Sequence, residues 1–328
     1  MLYDVTLRDG NHALRHSLTP EFVEQYCQIA DKSGSYAVEV GHGNGIGASS
    51  FLVGKSKHTD AELLSSARRS LKKVKLAVHT IPGFATIDRD LNAALDIGVD
   101  LFRVATHSSE ADVAERHIGY LKKKKVEVQG VLMMTHMIGT DELVKQAQIH
   151  ENQGADAVII MDSAGYFRPD DVKERISSLA EHLSVPIGFH AHNNLGVAVT
   201  NALVAMDSGA KILDGSSMGL GAGAGNAQLE NLAANLLKER GDVESIRVYL
   251  QLSRLVELDW SDFLPKISSG SIESALSGVF SGYAPQVARL SEELGIDKSA
   301  LWTAIGKRKL VAGQESMIRE IAQDLMNL

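Results

Sequence analysis

Residues 126–161, VEVQGVLMMTHMIGTDELVKQAQIHENQGADAVIIM, contain the alternation that decides the fold. Two apolar, β-rich runs, Val126–Met134 and Ala157–Met161, lie on either side of a polar stretch with helical character that closes at Gly154. A strand, a helix and a second strand in this order are typical of a parallel sheet.

The same unit recurs along most of the chain. Strand-like runs occur at Leu2–Thr6, Ala37–Val40, Val74–Thr80, Leu101–Thr106, Val126–Met134, Ala157–Met161, Val185–His190 and Lys211–Asp214. Most are followed by a helical stretch, so they predict a closed (β/α)8 TIM barrel, a fold of roughly 250 residues. The alternative is an open doubly wound sheet, whose glycine-rich turn would follow the first strand. Here the glycine-rich stretch Gly219–Ala227 follows the last one, which favours the barrel.

The sequence pattern changes after Gln228, where strand-like runs fade and amphipathic helices follow. We therefore divide the chain into a barrel domain, residues 1–227, and a helical C-terminal region, residues 228–328, packed on the barrel. The stretch Gly219–Ala227 lacks the lysine of a P-loop, and we interpret it as close backbone packing at the floor of the pocket rather than an anion site.

Composition excludes several classes of protein. The chain has 328 residues, 33 of them basic and 41 acidic, and this acidic balance argues against nucleic acid as the main partner. Its one cysteine, Cys27, cannot form a disulfide framework and is expected to be buried. No apolar run approaches the roughly 20 residues that span a bilayer. We expect a cytoplasmic protein without a membrane anchor.

Polar residues gather where the predicted strands end, which is where the active site of such a barrel lies. Asp9 follows the first strand, while His190 and His192 end the seventh and share a face because they are two residues apart. Two imidazoles and a carboxylate suit Mn²⁺, Mg²⁺, Co²⁺ or Zn²⁺ and leave positions for substrate and water. The alternative, a turn-capping Asp9 with two solvated histidines, explains neither the pairing nor the shared rim.

Arg8 and His12 lie beside the candidate metal ligand Asp9. The guanidinium of Arg8 offers planar donors to a developing oxyanion such as an enolate, and a salt bridge at the barrel rim is the alternative. His12 is within reach of the same rim and titrates near neutrality, so we expect it to act as a general base.

Taken together, these motifs resemble those of the 4-hydroxy-2-oxovalerate aldolases, metal-dependent pyruvate aldolases of a barrel metallolyase group. The resemblance rests on DVTLRDGNHALRH, VEVGHGNGIGASSF, KHTD, RVATHSSEAD, MMTHMI, HAHNNLGVA, GAGAGNA and GKRKLVAGQESMI, which are spread over essentially the whole chain. It implies a carbon–carbon lyase that cleaves or forms 4-hydroxy-2-oxoacids from pyruvate and an aldehyde, in the breakdown of aromatic hydrocarbons.

The resemblance also implies a role for each matching residue. Asp9, His190 and His192 would bind a divalent metal, most often Mn²⁺, with Mg²⁺ and Co²⁺ as alternatives. Arg8 would stabilise the pyruvate enolate, and His12 would take the 4-hydroxyl proton. Ser163 would hold the pyruvate carboxylate, with His190 also beside the substrate. The C-terminal region would help to close the pocket and would contact an acylating aldehyde dehydrogenase subunit; self-association into a homo-oligomer is left open.

Three departures from the family pattern bear on the pocket. Asn193 stands where a third histidine is usual. His79 and Thr80 replace apolar residues after the third strand. A pocket tyrosine of the family aligns with Leu276, with Tyr283 close by. These changes predict that acetaldehyde is not the best acceptor and that a larger or hydroxylated aldehyde is preferred.

Two other functions compete with the aldolase. One is an acyl-CoA condensing enzyme or lyase of the isopropylmalate synthase or hydroxymethylglutaryl-CoA lyase type, which would use the same metal and enolate chemistry. The other is a non-catalytic subunit that only stabilises a dehydrogenase, and such a subunit would be expected to lose its metal ligands. All three candidate ligands are present.

Overall fold

The computed structural model describes residues 1–238, 241–310, 314 and 316–327. Eight parallel strands close into a barrel in chain order, with β8 pairing back to β1. The strands are β1 Leu2–Asp4, β2 Ala37–Glu39, β3 Lys75–Thr80, β4 Leu101–His107, β5 Glu127–Met133, β6 Ala157–Asp162, β7 Ile187–Ala191 and β8 Ile212–Gly215. The predicted (β/α)8 barrel is confirmed.

Helices surround the barrel and form the C-terminal region. They are α1 Gly10–Ala13, α2 Pro20–Ala30, α3 Asp60–Ser70, α4 Asn92–Ile97, α5 Glu115–Lys123, α6 Thr140–Asn152, α7 Pro169–His182, α8 Ala198–Asp207, α9 Leu229–Leu237, α10 Val243–Trp260, α11 Ser269–Leu276, α12 Ala284–Leu294, α13 Lys298–Arg308 and α14 Met317–Met326. Helix α3 begins with a capping box in which Thr59 and Glu62 each accept a backbone N–H of the other. Among the described residues, no helix is long and apolar enough to cross a membrane.

The observed strands differ from the predicted ones mainly at their ends. The first strand was expected to reach Thr6 but ends at Asp4, because the Asp4 carboxylate accepts the N–H of Thr6 at 3.0 Å. Tyr26 on α2 donates its hydroxyl to the same carboxylate at 2.8 Å. A local side-chain bond of this kind diverts a backbone donor from the ladder and ends the strand.

Side-chain alternation divides the barrel interior into an apolar part and a charged part. Tyr3, Leu101 and Ile159 belong to an inner apolar cluster. The next layer of inward-facing side chains, one step closer to the C-terminal ends of the strands, contains Glu39 and Arg103, both almost fully buried. Charged side chains are buried only when they are paired, so this layer must contain its own counter-ions.

The C-terminal region contains two groups of helices. Helices α9 and α10 pack on the barrel, where Leu232 and Val256 join its main hydrophobic core. A second core lies further along the chain and includes Leu290, Trp302 and Ile318 of α12, α13 and α14. The region is helical from residue 229, as expected, but its own core begins only at Val279, well after the predicted boundary at 227/228.

The glycine-rich stretch packs closely against the C-terminal region. A Cβ on Gly223 would lie 2.2 Å from Cβ of Ser281, and one on Gly225 would lie 2.1 Å from the main-chain oxygen of Gly219. Both residues have positive φ angles, of 60° and 77°. Close backbone packing is confirmed. These glycines do not line the cavity at the C-terminal rim of the barrel, which Arg8, Asp9 and His12 line, so they do not form its floor. Cys27 is buried, as expected.

Candidate metal centre and active site

Asp9, His190 and His192 meet at the C-terminal rim of the barrel. One ligand atom from each lies within 4.8 Å of the others, and all three residues are buried. Nε2 of His190 lies 3.1 Å from Oδ2 of Asp9. The two histidines, predicted to share a face, lie with their ring centroids 5.0 Å apart.

Partners on neighbouring strands orient the two imidazoles. Nδ1 of His190 lies 3.0 Å from Oδ2 of Asp214 on β8, and Nδ1 of His192 lies 3.0 Å from the main-chain oxygen of Asp162 on β6. A hydrogen bond donated by Nδ1 leaves the lone pair of Nε2 for a ligand. Nε2 of His192 is buried and has no hydrogen-bond partner among the described residues. Such a donor set fits a divalent metal ion.

Two of the three candidate ligands, Asp9 and His192, have pKa shifts that favour metal-binding protonation states. Burial opposes ionisation of Asp9, but Arg8 and the two histidines outweigh it and hold the pKa of this carboxyl well below its usual range. Burial, assisted by His190, lowers the pKa of His192 to about 4. Burial opposes protonation of His190, but Asp214 and Asp9 outweigh it and raise the pKa of this imidazole. At neutral pH Asp9 is therefore a carboxylate and His192 a neutral imidazole, the forms that bind cations.

One arm of the Arg8 guanidinium has no hydrogen-bond partner among the described residues. Nε of Arg8 donates to Glu39, and Nη1 lies 3.2 Å from Asp9 and 3.3 Å from the main-chain oxygen of Gly43. The remaining arm ends in Nη2, which is buried, and Arg8 lines the cavity at the C-terminal rim of the barrel. A fixed guanidinium with an open donor is suited to bind an oxyanion.

His12 lines the cavity between two aromatic neighbours. Its ring centroid lies 5.3 Å from that of His16 and 6.3 Å from that of Phe280. Burial lowers the pKa of His12, while Asp9 opposes the shift. His16 stacks in turn on His42, with ring centroids 3.6 Å apart. The supporting histidines were missed in the sequence, although both occur in the motifs LRH and VGHG.

A cavity of about 200 Å³ at the C-terminal rim of the barrel is lined by most of the expected site residues. Its lining includes Arg8, Asp9, His12, His79, Ser163 and His192. Met134 has a left-handed backbone (φ 57°) and donates its N–H to the Ser163 hydroxyl at 3.0 Å. Because that oxygen already accepts a bond, its own hydrogen remains for a ligand. Thr80 does not line the cavity, since it faces the other side of β3 from His79.

The positions of Leu276 and Tyr283 require a correction. Leu276 lies at the end of α11, is 70% exposed and does not line the cavity. Tyr283 is buried in the second core and does not line it either. The aromatic side chain that reaches the cavity is Phe280, whose ring centroid lies 6.2 Å from that of His192.

Two family models match the chain in succession. Residues 1–260 match the model described as HMGL-like, and residues 265–327 match the DmpG-like communication domain. The division between these models falls near the point where the hydrophobic cores separate.

Solved structures share the fold at low sequence identity. The carboxyl transferase domain of Rhizobium etli pyruvate carboxylase with pyruvate and biocytin superimposes with a TM-score of 0.83 at 17% identity, over 99% of this chain and 60% of that one. The N-terminal domain of a putative aldolase from Bacteroides vulgatus superimposes with a TM-score of 0.73 at 21% identity, over 89% and 97%.

Curated relatives are much more similar in sequence. A protein of Pectobacterium atrosepticum named 4-hydroxy-2-oxovalerate aldolase is 49% identical over 99% of this chain and 95% of its own length. One of the same name from Spirochaeta aurantia is 47% identical over 99% and 96%. The chain therefore belongs to the 4-hydroxy-2-oxovalerate aldolase family.

Proposed function

We propose that the protein is a metal-dependent aldolase that cleaves 4-hydroxy-2-oxoacids to pyruvate and an aldehyde and catalyses the reverse addition. The observation that carries the proposal is the shared cavity of Asp9, His192, Arg8 and His12, in which a metal site, an open oxyanion donor and a base lie together. Full-length relatives at 44–49% identity are named for this reaction.

Asp9, His190 and His192 would hold the metal, which fits the ionised carboxyl of Asp9, the neutral imidazole of His192 and the unpartnered Nε2 of His192. When bound, a divalent ion supplies Lewis-acid stabilisation of negative charge on the oxygens of the 2-oxo acid. Mn²⁺ is our first choice, because nitrogen and oxygen ligands without thiolate suit it, with Mg²⁺ and Co²⁺ next.

The protein's own side chains account for binding and proton transfer. The Ser163 hydroxyl donates to the substrate carboxylate, and Nη2 of Arg8 donates to the C2 oxygen. His12 takes the proton of the 4-hydroxyl group. As the C3–C4 bond breaks, its electron pair moves into the pyruvate enolate and the 4-oxygen becomes the aldehyde carbonyl. Arg8 stabilises the enolate charge before C3 is protonated to give pyruvate.

On the aldehyde side we propose a preference for a hydroxylated or otherwise polar acceptor. The side chain of His79 lines the cavity, and its Nδ1 is buried without a partner among the described residues. Burial, assisted by Arg8, lowers the pKa of His79 to about 3, so the ring is neutral and can donate and accept. Leu276 lies outside the cavity, so replacing the family's tyrosine by leucine at this position does not enlarge the pocket. The proposed preference therefore rests on the polarity of the aldehyde and not on its size.

We further propose that an acylating aldehyde dehydrogenase subunit binds the C-terminal region. Residues 265–327 match a communication domain, and α12, α13 and α14 build a core of their own there. Phe280 connects this region to the active site, because its ring contacts both His12 and His192.

The decisive experiment combines metal content with product release. Purified protein reconstituted with Mn²⁺ should release pyruvate from 4-hydroxy-2-oxovalerate, and metal removal should abolish this. The double variant His190→Ala, His192→Ala should lose both the metal and the activity. Full metal occupancy in that variant, or condensation of acetyl-CoA with a 2-oxo acid without aldol cleavage, would exclude the proposal and favour the acyl-CoA enzyme.

A further inference from the structure

Arg103 lies in the middle of β4 and points into the closed barrel. It is 0% exposed and does not line the cavity that holds the substrate groups. Its Nη1 lies 2.8 Å from Oε2 of Glu39 on β2, and its Nη2 lies 2.7 Å from Oδ2 of Asp214 on β8. One guanidinium from β4 therefore joins two carboxylates that come from β2 and β8, the two strands that flank β1.

Each of these carboxylates binds a residue of the active site. The other oxygen of Glu39 accepts the Nε hydrogen of Arg8. The oxygen of Asp214 that binds Arg103 also accepts from Nδ1 of His190 at 3.0 Å. Arg103 is thus connected through Glu39 to Arg8, the proposed oxyanion donor. It is also connected through Asp214 to His190, a candidate metal ligand.

We propose that Arg103 is a positioning residue that sets the orientation of Arg8 through Glu39 and of His190 through Asp214. The inference rests on the proposed function for the role of Arg8, but the arm through His190 concerns metal binding alone. Two buried carboxylates repel each other and rotate away unless a cation fixes both. A planar fork fixes two acceptors at once, whereas an ammonium group is a point charge and cannot reach both.

Arg103→Lys keeps the positive charge but removes the planar guanidinium that donates to both carboxylates. Loss of a group that orients a metal ligand typically reduces metal affinity or activity about 10- to 100-fold. We therefore expect the Mn²⁺ dissociation constant of the metal-free variant, measured by titration calorimetry, to rise by about that factor. At saturating Mn²⁺, kcat should fall by a similar factor with little change in KM, because Ser163 still binds the carboxylate.

The matched control is Arg68→Lys. Arg68 also pairs with a carboxylate, Asp100 at 2.7 Å, and with the main-chain oxygen of Gly98, but it lies on α3 outside the barrel. This variant should change neither metal affinity nor kcat. Wild-type metal affinity together with wild-type kcat in a folded Arg103→Lys variant would overturn the proposal.

The two arms can also be tested without altering Arg103, which keeps the proposal testable if that variant fails to fold. Asp214→Asn should weaken Mn²⁺ binding, whereas Glu39→Gln should lower kcat and leave Mn²⁺ binding close to wild type. When Asp214→Asn or Glu39→Gln is combined with Arg103→Lys, the double variant should lose less than the sum of the two single-variant losses. Full additivity, or the reverse assignment of the two effects, would contradict it. The metal-binding arm remains valid even if the protein cleaves no 4-hydroxy-2-oxoacid.

Discussion

The backbone of Gly43 packs directly against the imidazole ring of His12. A Cβ added to Gly43 would lie 2.5 Å from Cδ2 of that ring, closer than real Cβ contacts occur. The loop after β2 therefore fixes the position of the proposed base from one side, and Phe280 contacts it edge-on from the C-terminal region. Glycine at position 43 is required for the close approach.

Gly43→Ala should displace the His12 ring without altering the metal ligands. Misplacing a reacting group by about 1 Å can reduce a rate roughly 10²-fold, so we expect kcat to fall by about that factor. Mn²⁺ affinity and the melting temperature should change little. The control is Gly119→Ala on α5, where an added methyl group meets no atom within 4 Å. Unchanged kcat in Gly43→Ala would show that the ring of His12 has no fixed catalytic position.

His12→Ala should separate carbon–carbon cleavage from enolate formation. A positioned general base contributes about 10² to 10⁴ in rate, and cleavage of 4-hydroxy-2-oxovalerate should fall within that range. Exchange of the C3 protons of pyruvate with deuterated water, followed by NMR, should persist because Arg8 and the metal ligands are intact. Equal loss of both reactions would instead assign His12 to binding or to enolate protonation.

The pH profile of kcat/KM tests the same residue. A general base is active when unprotonated, so the rate rises with pH through its pKa. Since burial lowers the pKa of His12 below its ordinary value of 6.5, the acid limb should lie below pH 6.5 and activity should be level above it. An acid limb well above pH 6.5 would indicate a different base.

Glu230 should make the folded protein less stable as the pH rises. This α9 residue is 9% exposed and accepts the N–H of Met218, and burial raises its pKa from 4.5 to about 7. Between pH 4.5 and 7 the folded state thus holds a proton that the unfolded state has released, so the free energy of unfolding decreases as the pH rises through this window. Glu230→Gln removes the titration and should stabilise the protein above pH 7 by on the order of 1 to 3 kcal/mol.

Denaturant unfolding at pH 5 and pH 8 measures this difference. The gain of Glu230→Gln over wild type should appear at pH 8 and shrink at pH 5, where Glu230 is protonated in the folded state. Glu257→Gln, on the exposed face of α10, provides the control. An equal gain at both pH values would mean that packing, not ionisation, distinguishes the variant.

The sequence predicts the barrel and the convergence of the three candidate metal ligands because both follow from short-range periodicity. Residues two apart in a strand share a face, which brings together His190 and His192, and parallel strands end at one rim, which adds Asp9. The buried network was missed, although Arg103 stands as a charged residue inside the apolar run LFRVA. A single charge gives no indication of its partner when the partners lie 64 and 111 residues away.

The pocket aromatic was missed for a different reason. Phe280 reaches His12 and His192 only because α11 and the following turn dock on the barrel, where Asn194 donates to the main-chain oxygen of Ser271 at 2.9 Å. Such a contact depends on tertiary packing and has no periodic signal in the sequence. The alignment with Leu276 was four residues away from the side chain that occupies the cavity.

His79 provides the sharpest test of the aldehyde specificity. Its unpartnered Nδ1 would bond to a hydroxyl group of the acceptor, and an unmet buried polar group costs about 1 to 3 kcal/mol, or roughly 5- to 100-fold in kcat/KM. In the aldol addition of pyruvate we therefore expect glycolaldehyde to be preferred over acetaldehyde and propanal. His79→Leu should reverse that order. Thr80→Val alters the adjacent side chain, which does not line the cavity, and should leave the order unchanged. If acetaldehyde and propanal are the best acceptors of the wild type and His79→Leu leaves the order of kcat/KM values unchanged, the imidazole of His79 does not determine the aldehyde specificity.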